Sequence, residues 1–113
     1  MGKPEGLIEK HLVKRCKEEG FLCRKYVSPG YKGVPDRIVI ARGHVVFIEL
    51  KSAVGKLSEL QKREIKRMLL LGADVRVYNS KEQIDNFIDE VLGWKVKRYK
   101  IPPDMADLLG KDD

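Results

Sequence analysis

The run PDRIVIARGHVVFIELK, residues 35 to 51, decides how this 113-residue chain is read. It holds two stretches of branched apolar residues, Arg37 to Ala41 and Val45 to Lys51, separated only by Arg42-Gly43. Two such stretches across a two-residue turn read as a β-hairpin. Pairing Ala41 with His44 across the turn sets Asp36 directly opposite Glu49. Directly paired residues share a sheet face with their Cβ atoms roughly 4.5 to 5.5 Å apart, so both carboxylates can reach one cation. Lys51 lies two residues beyond Glu49, and the pleat sends it to the same face, leaving Val46, Ile48 and Leu50 on the other. The segment VVFIEL is otherwise apolar, which predicts a central strand. An acid buried there costs several kcal/mol unless a metal ion or Lys51 neutralises it.

Upstream, Pro4 suits a first helical position with Glu5 in the first turn, and Ile8, Leu12, Val13 and Cys16 recur at helical spacing until Gly20. On that predicted helix, Pro4 to Glu19, Glu9 falls inside the apolar arc and is expected to face the sheet. Glu5 lies on the same arc one turn earlier, where the helix dipole already accounts for it, so Glu9 is the preferred third acid. Phe21 to Ser28 reads as a strand running into the loop SPGYKGVP. Downstream, Ser58 caps a helix from Glu59 to Leu71 ended by Gly72, and Val75 to Tyr78 is a short strand. Ser80 caps a last helix, with Ile84, Phe87, Ile88, Val91 and Leu92 on one face and Gly93 at its end. The order predicts an α/β fold, a small mixed sheet with helices packed on its faces. Residues 1–93 form the predicted domain; 94–113 read as a basic, strand-like segment followed by a polar tail expected to fray.

Composition sets the limits. With 42% hydrophobic and 35% charged residues, 113 residues fit one domain. No run approaches the roughly 18 apolar residues needed to span a bilayer, and MGKPEGLIEKHL carries charges where a signal peptide would be apolar, so a soluble cytoplasmic protein is expected. Cys16 and Cys23 form no CxxC, and His11 and His44 are the only histidines, which supports neither a zinc cluster nor a disulfide framework. Both thiols are expected reduced in the core. No Walker loop, GxGxxG or HExxH is present, so no nucleotide cofactor is expected. The net charge of +6 suits a polyanionic partner.

At Pro35-Asp36 and Glu49-Leu50-Lys51 the sequence resembles the PD-(D/E)XK nuclease superfamily, with Glu9 where that family has a helical acid. More narrowly, PGYKGVPDR at 29–37, FIELK at 47–51 and GKLSELQ at 55–61 resemble a stand-alone VRR-Nuc domain of the phage type, over about Glu5 to Leu92. The resemblance implies a restriction-endonuclease-like αβββαβ(α) core and Mg²⁺- or Mn²⁺-dependent hydrolysis of DNA phosphodiesters. It also implies a role in repair, with branched DNA such as a Holliday junction as substrate. Hard cations take carboxylate and carbonyl oxygens, which assigns Asp36, Glu49 and the Leu50 carbonyl to the metal, with Glu9 bound directly or through water. Lys51 is expected to orient the attacking water or counter charge on the phosphate. Gln61 has two readings, a holder of Lys51 or the water, and the last member of a capping box with Ser58.

Tyr31 and Lys32, in the loop before Asp36, and Lys56 on the far side are the candidate DNA contacts. Lys62, Arg63, Lys66 and Arg67 form a basic face that is solvated by default and contacts phosphate in the alternative. Paired incision of a symmetric junction needs two copies about a two-fold axis, so a homodimer is expected, with Trp94, Val96 and Ile101 as interface candidates unless they pack on their own core. The competing reading of the whole chain is a DNA-binding module that keeps the fold without cleaving.

Overall fold

A computed structural model describes residues 4–110. The elements run α1 (Pro4–Glu19), β1 (Leu22–Lys25), β2 (Arg37–Ala41), β3 (His44–Leu50), α2 (Glu59–Leu70), β4 (Asp74–Tyr78), α3 (Lys81–Leu92) and α4 (Pro103–Leu109). The four strands form one mixed sheet in the order β1-β2-β3-β4, antiparallel except for the parallel β3–β4 pair. Strand β3 is therefore interior, as its apolar sequence requires. The predicted α/β order holds, with α4 added.

The hairpin register is the expected one, with Ala41 opposite His44 and Arg37 opposite Ile48. Its turn has positive φ at both central residues, 54° at Arg42 and 84° at Gly43. That is the left-handed geometry whose twist matches two antiparallel strands. Arginine takes it because the backbone is held: the Arg42 carbonyl accepts from the Lys97 amide at 3.0 Å, and the Arg42 Nη1 donates to the Trp94 carbonyl at 3.3 Å.

The alternation of β3 divides the molecule into layers. Val46, Ile48 and Leu50 meet Val39 and Ala41, then Leu12 and Cys16 of α1 and Ile84, Phe87, Ile88 and Val91 of α3, in one buried cluster. Each large side chain sealed there stabilises the fold by roughly 1.5–3 kcal/mol. His11 and Arg15 of α1 both reach Asp85 of α3, at 2.8 and 3.1 Å, and tie the two helices together. On the opposite face Ile65 of α2 and Val75 of β4 are buried, and Tyr26 packs on Phe47 with ring centroids 5.2 Å apart. Leu22, Ile40 and Val45 form a paired row across β1, β2 and β3 on this second face and stay exposed.

Trp94 is half-buried. It packs on the core, with its ring 4.6 Å from His44 and 6.5 Å from Phe87. Trp94 thus takes the alternative of packing on its own core, while Val96 and Ile101 remain exposed. Cys16 and Cys23 are free thiols against the core, as expected. Strand β1 stops at Lys25, short of the expected Ser28, and the expected fraying tail contains α4, a helix with no buried residue. Residues 111–113 of that tail lie outside the described residues. Among the described residues no helix is long and apolar enough to cross a membrane.

Candidate active site

At the end of the sheet where β3 stops, a cleft of about 220 Å³ opens between α1 and α2, lined by Glu5, Glu9, Asp36, Glu49, Leu50, Lys51 and Gln61. Its positions follow from local sequence. Pro35, fully buried, brings the chain into β2, and the residue before the first ladder pair is Asp36. The Asp36 Oδ2 accepts from the Leu50 amide at 2.9 Å, so the register of the hairpin extends through the acids. Glu49 follows on the interior strand, only 1% exposed.

Glu49 carries the electrostatic strain of the site. Its Oε2 accepts from Gln61 Nε2 at 3.0 Å and lies 3.4 Å from the Lys51 ammonium. Its Oε1 is buried with no hydrogen-bond partner. Burial pushes the carboxyl up to about 7 and Asp36 alongside adds to the rise, while Lys51 opposes it without cancelling it. A buried acceptor left open costs about 1–3 kcal/mol, and native proteins keep such atoms mainly where function requires them.

Gln61 meets its capping reading, and its side chain reaches Glu49 instead of Lys51. Its backbone amide donates to the Ser58 Oγ at 3.1 Å and its Oε1 accepts from the Ser58 amide at 2.9 Å, closing the capping box at the start of α2. The same side-chain amide then offers its Nε2 to Glu49. A single side chain fixes where α2 begins and how the buried acid is oriented.

Glu9 reaches the cleft from α1, but its Oε2 accepts from Arg37 Nε at 2.8 Å. Among the described residues no three Asp, Glu, His or Cys side chains converge as a ligand cluster. Glu9 therefore lines the cleft as an ion-paired carboxylate. Arg37 escaped the sequence reading. The signal was available, since a residue paired with Ile48 must face α1, where Glu9 lies. Glu5, set aside as a helix-dipole acid, lines the cleft as well.

The expected DNA contacts fall elsewhere. Tyr31 and Lys32 border a second hollow beside α2, and Lys56 is exposed and lines neither the cleft nor that hollow. The loop bearing Tyr31 and Lys32 is pressed onto α2 at Gly33, whose φ is +88° and where a Cβ would come within 2.7 Å of the Leu60 backbone. Only glycine fits there.

Comparison with known proteins gives these features a context. No protein-family model matches the chain. Over 79 residues it is 42% identical to "Putative nuclease p44" of Acyrthosiphon pisum secondary endosymbiont phage 1, covering 69% of this chain and 85% of that protein. A solved structure titled "VRR_NUC domain" is 34% identical, with a TM-score of 0.71, over 78% of this chain and 97% of the other. The sheet, the hairpin acids and these relatives together define a nuclease of the PD-(D/E)XK class. Within that class, the chain belongs to the VRR-Nuc family.

Proposed function

We propose that the protein is a Mg²⁺- or Mn²⁺-dependent endonuclease that hydrolyses phosphodiester bonds of DNA, selective for branched forms such as a Holliday junction. The observation that carries this reading is the buried, unpartnered Oε1 of Glu49 beside Asp36. A divalent ion fits that gap, since the donors on offer are hard oxygens, the Asp36 and Glu49 carboxylates and the Leu50 carbonyl. When bound, the ion supplies Lewis acidity toward the phosphate and an acidified water.

The chain's own groups do the rest. Gln61 holds one Glu49 oxygen in place, and the other is buried with its hydrogen-bonding capacity free for a ligand. Lys51, 17% exposed, can turn its ammonium from Glu49 to a phosphate oxygen and balance charge gathering there. Glu9, steadied by Arg37, and Glu5 can accept hydrogen bonds from water at the rim. A polyanion is drawn in by the net charge of +6, and Lys32 and Lys56 on flanking loops are suited to its backbone phosphates. Paired cuts across a symmetric junction call for a homodimer. Val96 and Ile101, together with the exposed row of Leu22, Ile40 and Val45, supply apolar surface for it.

The test uses end-labelled four-way, flapped, duplex and single-stranded DNA with Mg²⁺, Mn²⁺ or EDTA. Metal-dependent internal cuts by the native protein, absent from Asp36→Ala, are the expected result. Equal product from both proteins defeats the assignment of the site. Sedimentation of the protein as a monomer, alone and with a junction, removes the dimer and leaves the chemistry standing.

A further inference from the structure

Neither cysteine lines the acidic cleft, yet the fold brings the two thiols together. Cys16 lies in the last turns of α1 and is fully buried, and Cys23 lies half-buried in β1, shortly after the helix ends. The chain reverses at Gly20, whose φ is +73°, and the Phe21 amide donates to the Cys16 carbonyl at 2.8 Å. That bond seats the start of β1 against the end of α1. Cys23 pairs with Val39, which belongs to the same buried cluster as Cys16, so the Cys23 side chain faces α1 and packs on that cluster.

The two sulfurs are chemically unequal. The Cys16 thiol, donating toward Cys23, lowers the Cys23 thiol to about 7, and the Arg37 guanidinium adds to the fall against the opposing effect of burial. Cys16 is pushed up by the same contact and by its own burial. The thiolate is the nucleophilic form of cysteine, so one sulfur is reactive and reachable while the other stays protonated and sealed beside it. Cysteines that respond to oxidants have this division, an accessible thiolate poised next to a resolving thiol.

We propose that Cys23 and Cys16 form a peroxide-reactive pair, with Cys23 the attacking sulfur and Cys16 the resolving one, whose product is an internal disulfide that clamps β1 to α1. In the first step the Cys23 sulfur attacks one oxygen of hydrogen peroxide, the O–O bond breaks, and a sulfenic acid forms on Cys23 with release of water. In the second the Cys16 sulfur displaces that hydroxyl, which leaves with the Cys16 proton as another water. The two thiols lose two electrons in all, and the peroxide gains them. The clamp bears on the nearby cleft, because Arg37 lies two residues from Val39 on the same face of β2 and holds Glu9.

The experiment exposes the reduced full-length protein to hydrogen peroxide and follows the intact mass and the non-reduced peptides by mass spectrometry, with dimedone present in a parallel sample to trap sulfenic acid. The native protein should lose two hydrogen atoms and yield one peptide pair joined through Cys16 and Cys23, both reversed by dithiothreitol. Cys16→Ala should stop at a dimedone adduct on Cys23. Cys23→Ser should oxidise at Cys16 at least about tenfold more slowly than native Cys23 does, since that sulfur is sealed and protonated. Melting curves check that each variant is folded, and the native result stands without them. Both thiols still free under peroxide that oxidises glutathione in the same tube, a disulfide formed only between two chains, or equally fast oxidation of Cys16 in Cys23→Ser overturns the proposal. None of these measurements involves DNA or a metal ion, so such a failure leaves the nuclease reading standing, and a protein that cuts no DNA overturns that reading alone.

Discussion

Replacing Glu49 by glutamine should make the metal-free protein more stable while it abolishes activity. Glu49 is 1% exposed, and its carboxyl is shifted from the ordinary 4.5 to about 7, chiefly by burial. At about 1.4 kcal/mol for each tenfold change in proton affinity, keeping it ionised in the fold costs roughly 3 kcal/mol. The sign follows from proton counting. Between the ordinary value and about 7 the folded protein binds the extra proton, so stability is highest below that range and declines as pH rises through it. Glutamine has the same shape and no charge. Its carbonyl can still accept from Gln61, and its amide can donate to Asp36, although Lys51 loses part of its partner. The expected gain at about pH 8 in EDTA is ~1–3 kcal/mol, or about 4–13 °C in Tm for a domain of this size. The difference from the native protein should vanish near about pH 4, where Glu49 is protonated in both folded and unfolded states. Thermal melts of both proteins across pH, by circular dichroism in EDTA, read this directly. A Glu49→Gln Tm equal to or below the native one at the alkaline end refutes the claim that Glu49 is a strained, uncompensated charge.

Three further outcomes follow from the same geometry. Addition of Mn²⁺ should raise the native Tm and cancel most of the alkaline destabilisation, with no rise in Asp36→Ala, as checked by thermal shift and calorimetric titration. Gln61→Ala should cost about 1–2 kcal/mol and also lower cleavage, whereas Ser58→Ala should cost a similar amount and spare cleavage, because only Gln61 touches Glu49; urea melts and nuclease rates separate the two. Gly33→Ala should destabilise by at least ~2 kcal/mol, since it adds a strained positive φ to a backbone collision at Leu60; chemical denaturation measures the loss.

How much could be read from the chain depends on whether the controlling contact is local. The Asp36–Glu49 pairing was legible because a two-residue turn leaves one register, and the turn is written in adjacent residues, Arg42 and Gly43. The capping box was legible for the same reason, with Ser58 and Gln61 three positions apart. The partner that Glu9 finds was not, because Arg37 is 28 residues away in the chain and the pairing depends on how α1 lies against the sheet. Which of its two readings Trp94 takes was hidden for a related cause. Its position past Gly93 allowed either an exposed or a core-packed residue, and the Arg42 turn, which reaches across and binds the following segment, holds the indole against Phe87. The unpartnered oxygen of Glu49 is a property of everything around it, and no spacing rule announces it.

The brevity of the β2–β3 connection has a consequence for how this enzyme can change. Because side chains alternate along a strand, adding or removing one residue at Arg42-Gly43 while the lower rungs re-pair would leave Asp36 and Glu49 pointing into different layers. Surface loops ordinarily absorb such length variation freely, but here the bend works as a counting device, and a lineage that keeps the chemistry must keep the count.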